Sequence, residues 1–176
     1  MTPNSILETV VALEPPRYEN RRPMIIAGLR QRYLPESYDQ IPALWEQLAP
    51  YLGRIPGQLD GIAYGICFGP AGTDGSYDYL AGVEVYGGFT HARDWNHVSL
   101  PAQRYAVFSH RENASKLQET IDFIFQKWLP ESDVQIPLSD GETPCFLERY
   151  TEEFNPYTGR GGMEIWVPIR SADSED

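Results

Sequence analysis

An α+β fold built from two βαββ units, related by a pseudo-two-fold and sharing one antiparallel sheet with two main helices and a groove between the halves, is predicted by this sequence. Three observations carry that prediction. The order strand, helix, strand, strand can be read twice along the chain. The stretches Val83 to Tyr86 and Met163 to Trp166 both spell apolar, Glu, apolar, aromatic, and they lie 80 residues apart. The opening strands of the two units, at Met24 and Arg104, have the same separation. A crevice where two such halves meet is a common place for a ligand.

In the first unit, residues 24–33 open with an apolar run and read as a strand entering the core. Ile41, Leu44, Trp45, Leu48 and Leu52 recur at steps of three and four, which predicts a helix. Ser37 or Asp39 is placed to cap it, and Pro42 falls in the first turn. Strands at residues 61–68 and 78–86 follow, parted by a Gly- and Pro-rich turn. In the second unit a strand is predicted at 104–110 and a helix at 116–129. Ser115 and Gln118 are spaced as a capping box there, and Leu117, Ile121, Ile124, Phe125 and Trp128 form an apolar stripe closed by Pro130. A stripe of this kind is core by default. Strands at 145–150 and 162–169 complete the unit. The domain is thus divided into a 1–23 extension, a first repeat at 24–88, a linker at 89–103, a second repeat at 104–169 and an acidic tail at 170–176. Leu7 to Leu13 either adds a strand or packs on the surface.

A chain of 176 residues fits one domain and should bury about 70% of the surface its unfolded form exposes. A net charge of −11 opposes binding to nucleic acid and favours cationic partners. No apolar run reaches the roughly 18 residues that would span a bilayer. The first eleven residues lack a secretory pattern, so a cytoplasmic location is expected. Cys67 and Cys145 are too few for a disulfide scaffold, and His91, His97 and His110 lack metal-ligand spacing, so neither a metal nor a cofactor is expected.

Alternation along the last strand puts Met163, Ile165, Val167 and Ile169 on a core face and Glu164, Trp166 and Pro168 on the other. An indole two residues from a carboxylate is unusual on a solvated face. Glu84 and Tyr86 repeat the arrangement, so the crevice is expected to hold two acidic groups among aromatic rings. A buried Glu164 must be protonated, paired with an arginine such as Arg149 or Arg104, or await a cationic ligand. Aromatic walls favour the last, because a cation over an aromatic face gains about 0.5 to 2 kcal/mol. Trp95 and the two histidines of the linker are placed to form a rim.

The stretches Ile41 to Trp45, Tyr64 to Cys67, Tyr79 to Val83, Tyr105 to His110, Trp128 to Pro130 and Glu164 to Ile169 resemble, in this order, the GyrI-like or AraC-type effector-binding domains, over roughly residues 24–169. That resemblance implies a duplicated βαββ fold with a ligand groove. It also implies that Glu164, in the terminal Glu-Ile-x-x-Pro-Ile pattern, contacts lipophilic cations. Tyr150, Phe108 and His110 are expected to join the ligand contacts. Regulators of this family carry a DNA-reading domain. Nothing before Met24 is long or basic enough to supply one, so a stand-alone module is expected.

The leading expectation is a binding or sequestering module for lipophilic, cationic, aromatic small molecules. A second is a hydrolase of strained, cyclopropane-type electrophiles, with Glu164 as general base and Tyr150 or His110 orienting the electrophile. A third, implied by the resemblance, is a protein partner: modulation of DNA gyrase through the acidic surface.

Overall fold

A computed structural model describes residues 13–70, 74–87, 95–137 and 143–170. The strand suggested for Leu7 to Leu13 falls outside these residues but for Leu13 itself, as do His91 and the tail from residue 171.

Among the described residues eight strands form one antiparallel sheet: β1 Arg17–Arg21, β2 Met24–Tyr33, β3 Gln58–Pro70, β4 Tyr77–Val85, β5 Asn96–Leu100, β6 Gln103–His110, β7 Pro144–Tyr150 and β8 Met163–Ile169. Their order across the sheet is β1-β6-β8-β7-β3-β4-β2-β5. The two βαββ units therefore lie side by side, and they meet where β3 pairs with β7. Strand order within one half mirrors that in the other, as the 80-residue repeat predicts. The outermost strands are exchanged. β1, which precedes the first unit, pairs with β6 of the second, and β5, which precedes the second, pairs with β2 of the first.

The helices lie on one face of this sheet. Helix α1, Ile41–Leu48, buries Leu44 and Leu48 against Ala27, Tyr79, Ala81 and Val83. Helix α2, Leu117–Phe123, buries Leu117 and Ile121 against Ala106, Phe108, Ile165 and Val167. Removing a side chain such as Leu48 fully from water contributes about 1.5 to 3 kcal/mol, so these two stripes fix the helices to their own halves of the sheet. A third apolar cluster occupies the opposite face and consists of strand residues, among them Ile26, Tyr64, Ile66, Leu80, Tyr105, Leu147 and Trp166. No helix covers it. The sheet curls into a half-barrel, and that curl buries this face.

Three local expectations differ from the structure. Residues Pro35–Gln40 already form a 3₁₀ turn that starts after Leu34, so neither Ser37 nor Asp39 caps α1. At the second helix the cap is Asn113, whose side chain accepts the Ser115 N–H at 2.9 Å, while Gln118 turns outward to Asp122. Pro130 does not close that helix. A π turn over Ile124–Trp128 carries it on to Leu129–Glu131, so the proline, which has no N–H to give, sits inside the last turn. No described helix is long and apolar enough to cross a membrane.

Candidate functional site

Strand β7 lies at the seam, and its alternation sorts its side chains between the two faces. Leu147 joins the helix-free cluster, so Arg149 points the same way, whereas Phe146, Glu148 and Tyr150 face the helices. Glu148 thus faces the helices at the seam between the two halves, directly opposite Gly65 of β3. That glycine leaves room for the ring of Tyr79. A Cβ at residue 65 would overlap the Tyr79 hydroxyl and lie 3.1 Å from Glu148 Oε1.

A chain of hydrogen bonds ends on one carboxylate oxygen. The Trp45 indole N–H of α1 donates to the Tyr79 hydroxyl at 3.0 Å. Tyr79 donates to Glu148 Oε1 at 3.0 Å, and Tyr150 donates to the same atom at 2.8 Å. Among the described residues, Oε2 has no hydrogen-bond partner and no basic side chain forms an ion pair with Glu148. The residue is only 8% exposed. Burial pushes its carboxyl up to about 7, and the two tyrosine donors oppose that rise without cancelling it. Burial likewise pushes the Tyr79 and Tyr150 hydroxyls up, so both stay protonated and able to donate.

Aromatic rings close over this carboxylate from both halves. Trp45 meets Tyr150 edge-on at 5.5 Å, Tyr150 packs on Phe154 at 5.0 Å, and Phe125 packs on Phe146 at 5.9 Å. Among the described residues the result is a carboxylate with no counter-ion, held in an apolar aromatic setting. Among the described residues no group of three or more His, Cys, Asp or Glu is placed to hold a metal ion.

The whole span 14–170 matches the family model described as the GyrI-like small molecule binding domain. This chain is a GyrI-like domain. It is 29% identical over 132 residues to the transcriptional regulator BrlR of Pseudomonas aeruginosa, a match covering 74% of this chain and 47% of BrlR. The chain therefore spans about half the length of that regulator. Among solved structures, the GyrI-like fold seen here is shared with SAV2435 bound to tetraphenylphosphonium (TM-score 0.70, 17% identity, 90% of this chain and 95% of that one). It is shared too with a transcription-regulation protein of Staphylococcus aureus MU50 (TM-score 0.63, 17% identity, 89% and 98%). A third is EcmrR in its complex with DNA (TM-score 0.62, 12% identity, 94% and 60%).

Within this GyrI-like domain, the residues singled out from sequence are divided between the two faces. Glu164, Trp166 and Glu84 lie on the helix-free face. Glu164 is paired: Arg17 Nη2 lies 2.6 Å from Oε2 and Arg149 Nη1 donates to Oε1 at 2.9 Å, with the Trp166 indole N–H at 3.3 Å. Of the three fates open to a buried Glu164, pairing with an arginine is the one adopted, and Arg149, not Arg104, is among its partners. An open cleft of about 780 Å³ adjoins it, and its wall mixes Arg17, Arg149 and Glu164 with Ser109, Thr151 and Glu153. Trp166 is 2% exposed and lies under Arg21 and Arg149, whose guanidinium carbons sit 5.2 and 5.5 Å from its ring centre. Glu84, buried, pairs with Arg22 at 2.6 Å. Tyr86 is 61% exposed and shares no crevice with it.

On the helix face, Tyr150 is a direct partner of Glu148. Phe108 is core and meets Trp128 edge-on at 4.8 Å. His110 is buried with both ring nitrogens engaged, Nδ1 by the Thr120 hydroxyl at 2.8 Å and Nε2 by the Asn113 carbonyl at 2.9 Å. A carbonyl only accepts, so Nε2 carries the hydrogen and Nδ1 accepts from Thr120. Trp95 packs on the α1 cluster and meets Tyr51 edge-on at 5.2 Å.

Sequence reasoning passed over Glu148, Tyr79, Trp45 and Gly65. A signal for Glu148 was present. Phe146, Glu148 and Tyr150 alternate as aromatic, acid, aromatic within one predicted strand, the same pattern that drew attention to Glu164.

Proposed function

We propose that this domain binds lipophilic, aromatic cations in the gap between α1 and α2, with Glu148 as the counter-charge and Trp45, Tyr79 and Tyr150 as the walls. The observation that carries this reading is a buried carboxylate with two phenol donors and, among the described residues, no cationic partner. Such a group is held at a cost of several kcal/mol when charged, and a bound cation offsets that cost. Aromatic faces add about 0.5 to 2 kcal/mol per cation contact and tolerate many flat ligands. SAV2435, which shares this fold, is bound to tetraphenylphosphonium, a ligand of this class. Tryptophan fluorescence titration compares tetraphenylphosphonium with triphenylphosphine oxide, a neutral molecule of similar size. Glu148→Gln should weaken the cation by about tenfold or more, the equivalent of about 1.4 kcal/mol, and leave the oxide nearly unchanged. Equal losses for both would remove the charge from the explanation.

A second reading rests on the same carboxyl. A group pushed up to about 7 is well placed as a general base, and a water on Oε2 could attack a strained, cyclopropane-bearing electrophile seated under the aromatic roof. Product formation that vanishes in Glu148→Gln would support hydrolysis, and stoichiometric binding without product would exclude it.

A further inference from the structure

The groups around Glu148 also say what the carboxyl does when no ligand is present, an inference that rests on the cation-binding reading above. A buried carboxyl must be neutral, paired or liganded. Its neighbours are Cys67 of β3, Tyr77 and Tyr79 of β4 and Tyr150 of β7. All four are neutral near pH 7, because burial pushes each of them up. The α1 side contributes the Trp45 indole, the α2 side Phe125, and the segment after β7 contributes Phe154; none of these is charged. The hydroxyl hydrogens of Tyr79 and Tyr150 are both spent on Oε1, and the Tyr79 oxygen already accepts from Trp45. Oε2 is the remaining oxygen and accepts from no described donor.

We infer that the ligand-free site holds Glu148 as a carboxylic acid with its proton on Oε2, and that each cation binding beside it expels that proton to solvent. The exchange balances: Glu148–COOH and a cation give Glu148–COO⁻ beside the cation and one free proton, with no change of net charge at the site. Selection between cations and neutral molecules then becomes dependent on pH. In acid the cation competes with a proton, whereas a neutral aromatic meets a neutral wall at any pH.

The carboxyl's rise to about 7 sets the window. Below about pH 6 the apparent affinity for a cation should fall about tenfold per pH unit, because the competent, ionised fraction falls by that factor, and it should level off above about pH 8. Calorimetric titration of the whole chain with tetraphenylphosphonium chloride, in two buffers of different protonation enthalpy, counts the protons. Close to one proton per cation should be released at pH 6 and close to none well above pH 8. Triphenylphosphine oxide should release none at either pH. Tetraphenylphosphonium binding that is weakened by Glu148→Gln yet releases no proton at pH 6 overturns the exchange and leaves the binding site standing. Binding that Glu148→Gln does not weaken overturns the site itself. The infrared spectrum of the ligand-free protein at pH 6 tests the resting state without any ligand: a protonated-carboxyl band is expected that Glu148→Gln lacks, and its absence refutes the proposal.

Discussion

Glu148 and Glu164 sit on neighbouring, paired strands, each beside a tryptophan or tyrosine, yet they belong to opposite faces of one sheet and have opposite surroundings. Glu164 is 13% exposed at its side chain and has two arginines within 2.9 Å. Glu148 is less exposed and has none among the described residues. Aromatic neighbours and burial are therefore common to both, and pairing is what separates them. A carboxylate whose charge is already neutralised by the chain has little left for a ligand. One that lacks a counter-ion in the same kind of setting has an unmet electrostatic need, and perturbed groups of that sort mark functional sites.

The largest expected contrast is in ligand affinity. Glu148→Gln should cost about tenfold or more for tetraphenylphosphonium, whereas Glu164→Gln should change it by less than about threefold, both read by fluorescence titration at pH 8. The reverse ranking would move the site to the other face. Stability should respond with opposite signs. The folded carboxyl of Glu148 titrates at about 7 against an unfolded value near 4.5, so the folded chain holds more protons between those values. Stability then falls as pH rises through that window and stays reduced above it. Removing the charge with Glu148→Gln should restore up to about 3 kcal/mol at pH 8 and nothing at pH 4. Glu164→Gln leaves Arg149, with 17% of its side chain exposed, facing a neutral amide and should destabilise by about 1 to 3 kcal/mol at pH 7. Urea unfolding across pH measures both.

A smaller effect is expected at Gly65→Ala. The added methyl displaces the Tyr79 hydroxyl from Glu148, which should lower stability by about 1 to 3 kcal/mol and weaken cation binding, with no matching effect on the Glu164 face. Least of all, Trp45→Phe keeps an aromatic ring against Tyr150 and removes only the N–H donated to Tyr79, a loss of about 0.5 to 1.5 kcal/mol. If Trp45→Phe proved as damaging to binding as Glu148→Gln, the indole rather than the charge would govern recognition.

The fold was open to reading from sequence because it is written in periodicity. Period-2 strands, two helical stripes and an 80-residue repeat recover both halves and the continuous sheet. The exchange of β1 and β5 was not visible, since Arg17–Arg21 and Asn96–Leu100 are short, polar edge strands whose partners lie in the other half. The site was less legible for a related reason. Looking for what the halves share draws attention to Glu84 and Glu164, and what they share turns out to be an arginine partner in each case, Arg22 for one and Arg17 with Arg149 for the other. Glu148 has no acidic counterpart in the first half, because Phe68 stands 80 residues before it. Its character comes from Gly65 and Tyr79 across the seam, and a contact between strands so far apart in the chain leaves no local pattern.

The exchanged outer strands also bear on how the chain reaches this state. Residues 17–21 find their partners at 103–107, so the edge of the second half is completed by a segment made before the first half exists. The first half in turn waits for residues 96–100. Neither unit can finish its sheet from its own leading segment, and closing such wide loops is an entropic cost that must be met before the pairing rewards it. Folding should accordingly be slow and all-or-none, with β1 docking late. Arg17, which rides on β1, can therefore reach Glu164 only once β6 and β8 of the second half have paired and β1 has docked on them.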